Sequence, residues 1–119
     1  MTLTVDAYVR DPDGRVTFVE GPAGSDLAGF ERTRYDLWGS SCVVALGATL
    51  LPTLASTNID ASPSELDDLD RDCVLIADNL AHVAMETGFD EDYIAYRLGN
   101  IRAAIVRARN VDGGSVVIW

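Results

Sequence analysis

No lysine occurs anywhere in the chain; all nine basic side chains are arginine. That absence excludes a phosphate-binding loop of the Gly-x-x-x-x-Gly-Lys-Ser/Thr type, whose lysine reaches the β- and γ-phosphates. It also excludes pyridoxal phosphate held as a lysine Schiff base. A GC-rich coding bias, in keeping with abundant Ala, Asp, Val and Arg, accounts for the deficit without a functional cause.

Histidine is nearly as scarce, with His82 the only one. Asp78, His82 and Glu86 are spaced i, i+4, i+8 and share one helix side, so they could supply two metal ligands. Helical metal sites recruit ligands from other elements as well, and nothing else in the chain points that way. An exposed Asp78–His82 helix pair is the plainer reading. A Cys-His or Ser-His pair could form in space, but no nucleophile elbow or family spacing marks one. No catalytic residue, metal ligand or cofactor is therefore assigned. A small-molecule site or enzyme pocket near His82 stays open as a third reading of function.

The two cysteines, Cys42 and Cys73, show no Cys-x-x-Cys spacing and sit in apolar helical patterns. They read as buried reduced thiols rather than a disulfide. Long apolar runs are missing too. The most apolar stretch, 42–55, is interrupted by Pro52 and falls short of the roughly 20 residues a spanning helix needs. The opening "MTLTVDAYVR" has no basic segment followed by an apolar run, so no secretory signal is read there. The expectation is a cytoplasmic protein without a membrane partner.

What is present fits one folded domain spanning 1–119. Hydrophobic residues make up 48% and charged residues 24%, and a chain of this length buries about two-thirds of its unfolded surface. The net charge is −10, with 19 acids against nine arginines. Such a field repels nucleic-acid phosphates and anionic lipid, and by its sign favours a basic protein partner. Solubility alone would account for it equally.

Residues 2–9 alternate apolar and polar with a period of two, "DPDG" at 11–14 is a turn, and a second strand follows at about 15–20. "EGPAGSDL", 20–27, reads as a connector ending in a helix cap, its glycines only faintly like a phosphate-cradling turn. Leu27, Phe30, Tyr35 and Trp38 predict an amphipathic helix to about Trp38. Ser40 or Ser41 then caps a short helix from Cys42 to about Leu51. "SPSE", 62–65, is a capping box that opens a helix running to about Thr87, closed by Gly88. Phe89 precedes Asp90 as the cap of a last helix ending near Asn110, with Phe89 placed to staple onto Ile94. "DGG" leads into a short strand at 115–119. The fold expected is α+β: a small antiparallel sheet, built from the N-terminal hairpin and the C-terminal strand, against about four helices.

Leu66, Leu69, Cys73, Ile76, Leu80 and Val83 form one seam, and Ile94, Leu98, Ile101, Ile105 and Ala108 another. The one- or two-residue turn between them predicts an antiparallel helical hairpin over 63–110. Pairing outward from Gly88 sets Asp67 near Arg109 and Asp70 near Arg107. The segment 60–92 holds 11 acids and one arginine, whereas 93–112 holds four arginines and one acid. Arginines of the last helix therefore neutralise part of the acidic block. Asp68, Asp72 and Asp78 are expected to face solvent.

The aromatics Tyr35, Trp38, Phe89, Tyr93, Tyr96 and Trp119 are many for such segments. With Val74, Leu75 and Met85 off the seam, they either pack against residues 27–51 or form an apolar patch rimmed by carboxylates. Trp119 is either a core plug or an interface anchor. The leading expectation is a non-catalytic, protein-binding or regulatory protein, of which a toxin-neutralising immunity protein is one example by analogy. Its partner-binding residues would be Asp68, Asp72, Leu75, Asp78, Trp38 and Trp119. The second expectation is an obligate homo-oligomer or a subunit of a larger assembly.

Overall fold

The alternation of Leu3, Val5 and Ala7 with polar neighbours produces a strand with one buried face. In the computed structural model, which describes residues 2–119, that strand is β1 (Thr2–Arg10). The Asp11–Gly14 turn, with Gly14 at φ 89°, returns the chain as β2 (Val16–Val19). The sheet has five antiparallel strands: β3 (Leu27–Phe30), β4 (Ile59–Ala61) and β5 (Ser115–Ile118) complete it. Its order is β2-β1-β5-β4, with β3 also pairing β1. Thr4 exchanges backbone bonds with Trp119, whereas the Val5 N–H donates to Asp26 on the other side. Strands β2 and β3 therefore lie end to end along one edge of β1, and β5 lies along the other.

Helices cover one face of this sheet. Helix α1 (Ser41–Ala45) is capped by the Ser40 hydroxyl, which accepts from the Val43 N–H. Helix α2 is Leu66–Asp78, α3 is Leu80–Thr87 and α4 is Glu91–Arg109. The Glu65 carboxylate accepts from the Ser62 backbone N–H, the return half of the Ser62–Glu65 capping box, and also from the Ser62 hydroxyl. Gly88 ends α3 at φ 79°, the left-handed conformation glycine adopts without penalty. The α+β class, the hairpin strands, the terminal strand and the paired helices all match the sequence reading. No helix among the described residues is long and apolar enough to cross a membrane.

The core lies between sheet and helices. Leu3 and Val5 of β1, Ile118 of β5, Leu69, Cys73 and Ile76 of α2, and Ile94, Ile101 and Ile105 of α4 are all fully buried. Each such side chain contributes about 1.5–3 kcal/mol by leaving water.

Three sequence expectations are corrected, the first being the short helix from Cys42 to Leu51, which ends at Ala45 because Gly47, at φ 101°, leaves helical geometry. The helix predicted from Leu27 to Trp38 is a strand, β3, followed by a single π turn at Arg34–Trp38. Gly29, at φ 123° with Thr33 packed where a Cβ would stand, breaks any helix there, and pairing with β1 satisfies the backbone instead. The helix expected to run unbroken to Thr87 is divided at Asn79. That side chain donates to the Leu75 carbonyl at 2.8 Å, so the backbone leaves helical geometry for one residue.

Candidate functional site

The acidic stretch that opens α2 is largely occupied within the chain. Asp67 accepts from Arg109 at 2.6 Å, as the antiparallel hairpin predicts. Asp70 lies 3.4 Å from Arg102 rather than beside Arg107, whose Nε donates instead to the Val19 carbonyl at 3.0 Å. Asp68 lies 3.5 Å from Arg71. These pairs are exposed or half-exposed and contribute at most about 1 kcal/mol each.

Asp72 does not face solvent: it is fully buried. Its carboxylate accepts the backbone N–H groups of Thr49, Leu50 and Leu51, the last two at 2.7 and 2.9 Å. Those donors open the 3₁₀ turn Leu51–Ala55, where no intrahelical acceptor reaches them. Trp38 is likewise fully buried, its indole N–H donating to the Ala28 carbonyl at 3.1 Å. Leu75 is half-buried, while Asp68, Asp78 and Trp119 are exposed. The six residues singled out from the sequence therefore do not form one surface. Two are internal, and Trp119 lies across the sheet from α2.

The uncovered side of the sheet is where large apolar groups remain in water. Cross-strand partners share a face, so Tyr8, Phe18 and Ser115 stand together, as do Arg10 with Val16 and Asp6 and Asp60 with Val117. Trp119 joins them through its backbone pairing with Thr4. Trp119 is 48% exposed, Phe18 44% and Val16 38%, and the rings of Phe18 and Trp119 lie 6.2 Å apart. Two carboxylates are held in this face by its own aromatics. Asp6 accepts from the Trp119 indole N–H at 2.9 Å, and Asp60 from the Tyr8 hydroxyl. Burial first, then the bond to Asp60, push the Tyr8 phenol up, with Arg10 opposing. Between them runs a groove of about 300 Å³, lined by Tyr8, Arg10, Phe18, Asp60, Val117 and Trp119.

A second concavity of about 810 Å³ lies among the π turn, α1 and α3. His82, Cys42, Asp36, Glu86, Ser40 and Ser41 line it, and the Arg32 guanidinium lies 5.4 Å from the Phe89 ring on its wall. Phe89 stacks on Tyr93 at 5.3 Å. Burial first, then the charge of Glu86, push the Cys42 thiol up, which keeps it protonated and poorly nucleophilic at neutral pH. Both cysteines are free, Cys73 buried and Cys42 half-buried. Among the described residues no three metal-ligating side chains converge.

Sequence reasoning identified Trp119 but not its neighbours Phe18, Val16 and Tyr8. The signal was present: Val16 and Phe18 fall on one face of a strand whose other face holds Thr17 and Val19, so an apolar residue had to lie outside the core. Comparison with protein-family models, with curated proteins and with solved structures finds no match to the chain.

Proposed function

We propose that the chain is a non-catalytic protein-binding protein, inhibitor-like in its manner of action, that takes a basic protein on its open sheet face. The observation that carries this reading is the cluster of Trp119, Phe18 and Val16 left in water on a face that no helix covers. Aromatic anchors surrounded by polar groups are the usual centre of a protein interface. Asp6 and Asp60, oriented by Trp119 and Tyr8, keep a second carboxylate oxygen for an incoming arginine or lysine. The net charge of −10 steers such a partner and repels nucleic acid.

The test is recovery of the partner from the native host, followed by calorimetric titration of the purified pair. The Phe18→Ser/Trp119→Ser double variant is expected to weaken binding at least 100-fold, and Asp78→Asn less than threefold. Association should slow as salt rises. A partner that binds the double variant as tightly as the wild type would end this reading.

A second reading rests on the cleft beside His82, whose mixed lining of Arg32, Asp36, Ser41 and Glu86 suits a small polar ligand. Perturbation of the His82 ring resonances by a small-molecule library, without change in the Trp119 indole signal, would favour it over the sheet face.

A further inference from the structure

Strand β2 has a free edge. Asp11 donates to Arg15 and Val5 donates to Asp26, so the odd-numbered residues of β1 turn their backbone groups toward β2 and β3. Ala7–Val19 and Val9–Thr17 are then the hydrogen-bonded pairs, and Val16 and Phe18 turn N–H and C=O outward. Among the described residues no donor or acceptor meets these outward groups. Of the devices that usually blunt an edge, β2 has only its shortness: Val16–Val19 contains no charge, no proline and no bulge against β1.

The edge is also self-complementary. Placed antiparallel about a two-fold axis at Thr17, Val16 faces the second copy's Phe18, Phe18 faces its Val16, and Thr17 faces Thr17. Aromatic–β-branched and Thr–Thr pairs of this kind are favourable cross-strand neighbours. Two copies of net charge −10 repel at long range, but most of the excess lies beyond a Debye length of about 8 Å from this edge. The acidic segment 60–92 begins on β4, at the opposite edge of the sheet, three strand spacings or roughly 14 Å away. Around β2 three arginines, Arg10, Arg15 and Arg107, stand against five acids, Asp6, Asp11, Asp13, Glu20 and Asp26, so the local excess is small.

We propose that a second copy of this chain docks along β2, joining two sheets into one continuous sheet across a two-fold axis. Pairing uses the backbone edge rather than the side-chain face, so it holds whether or not that face also takes a basic protein. A four-residue edge buries less than the roughly 1,200 Å² of a standard interface, so the dimer is weak and concentration-dependent.

Sedimentation equilibrium of the full chain from about 10 to 500 µM reads it, the range being set by the weak-interface class. The expected result is a rise toward twice the monomer mass. Val16→Pro, which removes an outward N–H without touching the ladder to β1, should raise the dissociation constant at least tenfold. Val16→Ala, which keeps that N–H, should raise it less than threefold. Should Val16→Pro unfold the hairpin, Thr17→Cys provides a second measurement. Directly opposed Cα atoms about 4.5 Å apart permit a disulfide. With Cys42 replaced by serine, mild oxidation should therefore give a covalent dimer with Thr17→Cys and none with Asp13→Cys. A chain that stays monomeric to the highest concentration, a Val16→Pro variant that folds and still dimerises, or no Thr17→Cys cross-link overturns the proposal. Dimerisation lost in Trp119→Ser but kept in Val16→Pro would assign the contact to the open face instead.

Discussion

Asp72 shows how much one carboxylate can hold. It links α2 to a segment more than 20 residues earlier and answers three N–H groups at once, at the point where the 3₁₀ turn Leu51–Ala55 begins. Truncation leaves those donors without their acceptor, that of Leu51 fully buried and that of Leu50 partly so, and each unmet buried donor costs about 1–3 kcal/mol. Asp72→Ala is therefore expected to lower unfolding stability by about 3 kcal/mol, while Asp68→Ala, which removes an exposed pair, changes it by less than about 0.5 kcal/mol. Urea denaturation of the two variants checks both values; equal, small effects would contradict the role assigned to Asp72. Its burial was partly legible in the sequence. It was expected in solvent, yet it stands three residues after Leu69 and four before Ile76, on the flank of the buried seam. What spacing could not show was the loop at 46–50 that closes over it. Arg34 is the converse case, a buried cation that donates to the carbonyls of Leu54 and Thr57 and to Asn58. Its one local partner is Glu31, three residues earlier; the three contacts that hold it inside lie 20 or more residues away, where no local pattern marks them.

Among the elements, legibility follows the range of the forces involved. The α2–α4 seams, the Gly88 stop and the Ser62–Glu65 cap are settled by residues within one or two turns of each other, and the structure keeps them. Strand β3 depends on β1, more than 20 residues earlier, and its Leu27 and Phe30 look helical until that pairing is known. The open face of the sheet was hidden for the same reason: Tyr8, Phe18 and Trp119 become neighbours only through strand order. The hairpin is held by its apolar seams, and its ion pairs contribute little. A double-mutant cycle on Asp67 and Arg109, using alanine at each, should return a coupling below about 1 kcal/mol despite the 2.6 Å contact, because Asp67 is almost fully exposed. By contrast, Leu69→Ala on the buried seam should cost about 2–5 kcal/mol. A coupling of several kcal/mol would mean that charge, not burial, joins the two helices.

For the molecule as a whole, the missing lysines shape its response to alkali. With no lysine to titrate, the alkaline response of the fold falls to the groups that burial raises, Cys73, Cys42 and Tyr8. Burial, reinforced by the charge of Asp70, pushes the Cys73 thiol up from 9.0 to about 12, and Cys42 and Tyr8 are raised as well. A raised pKa means that the folded chain keeps a proton the unfolded chain has released. Stability is then fully present below pH 9 and falls as pH climbs from 9 toward 12. From Cys73 alone the loss at pH 10.5 is about 2 kcal/mol, half of the roughly 4 kcal/mol that a three-unit shift represents. Tyr8 adds to the decline above pH 10. Urea midpoints measured from pH 7 to 11 should therefore be flat to about 9 and then drop. Cys73→Ala should start lower, for want of its sulfur in the core, but run flatter. Ellman's reagent gives the kinetic counterpart: Cys42, half-buried on the cleft, reacts in the folded protein, and Cys73 reacts only after urea unfolds it. If the Cys73→Ala midpoint falls with pH as steeply as that of the wild type, the buried thiol is not what limits stability in alkali, and the decline belongs to Tyr8 and its bond to Asp60.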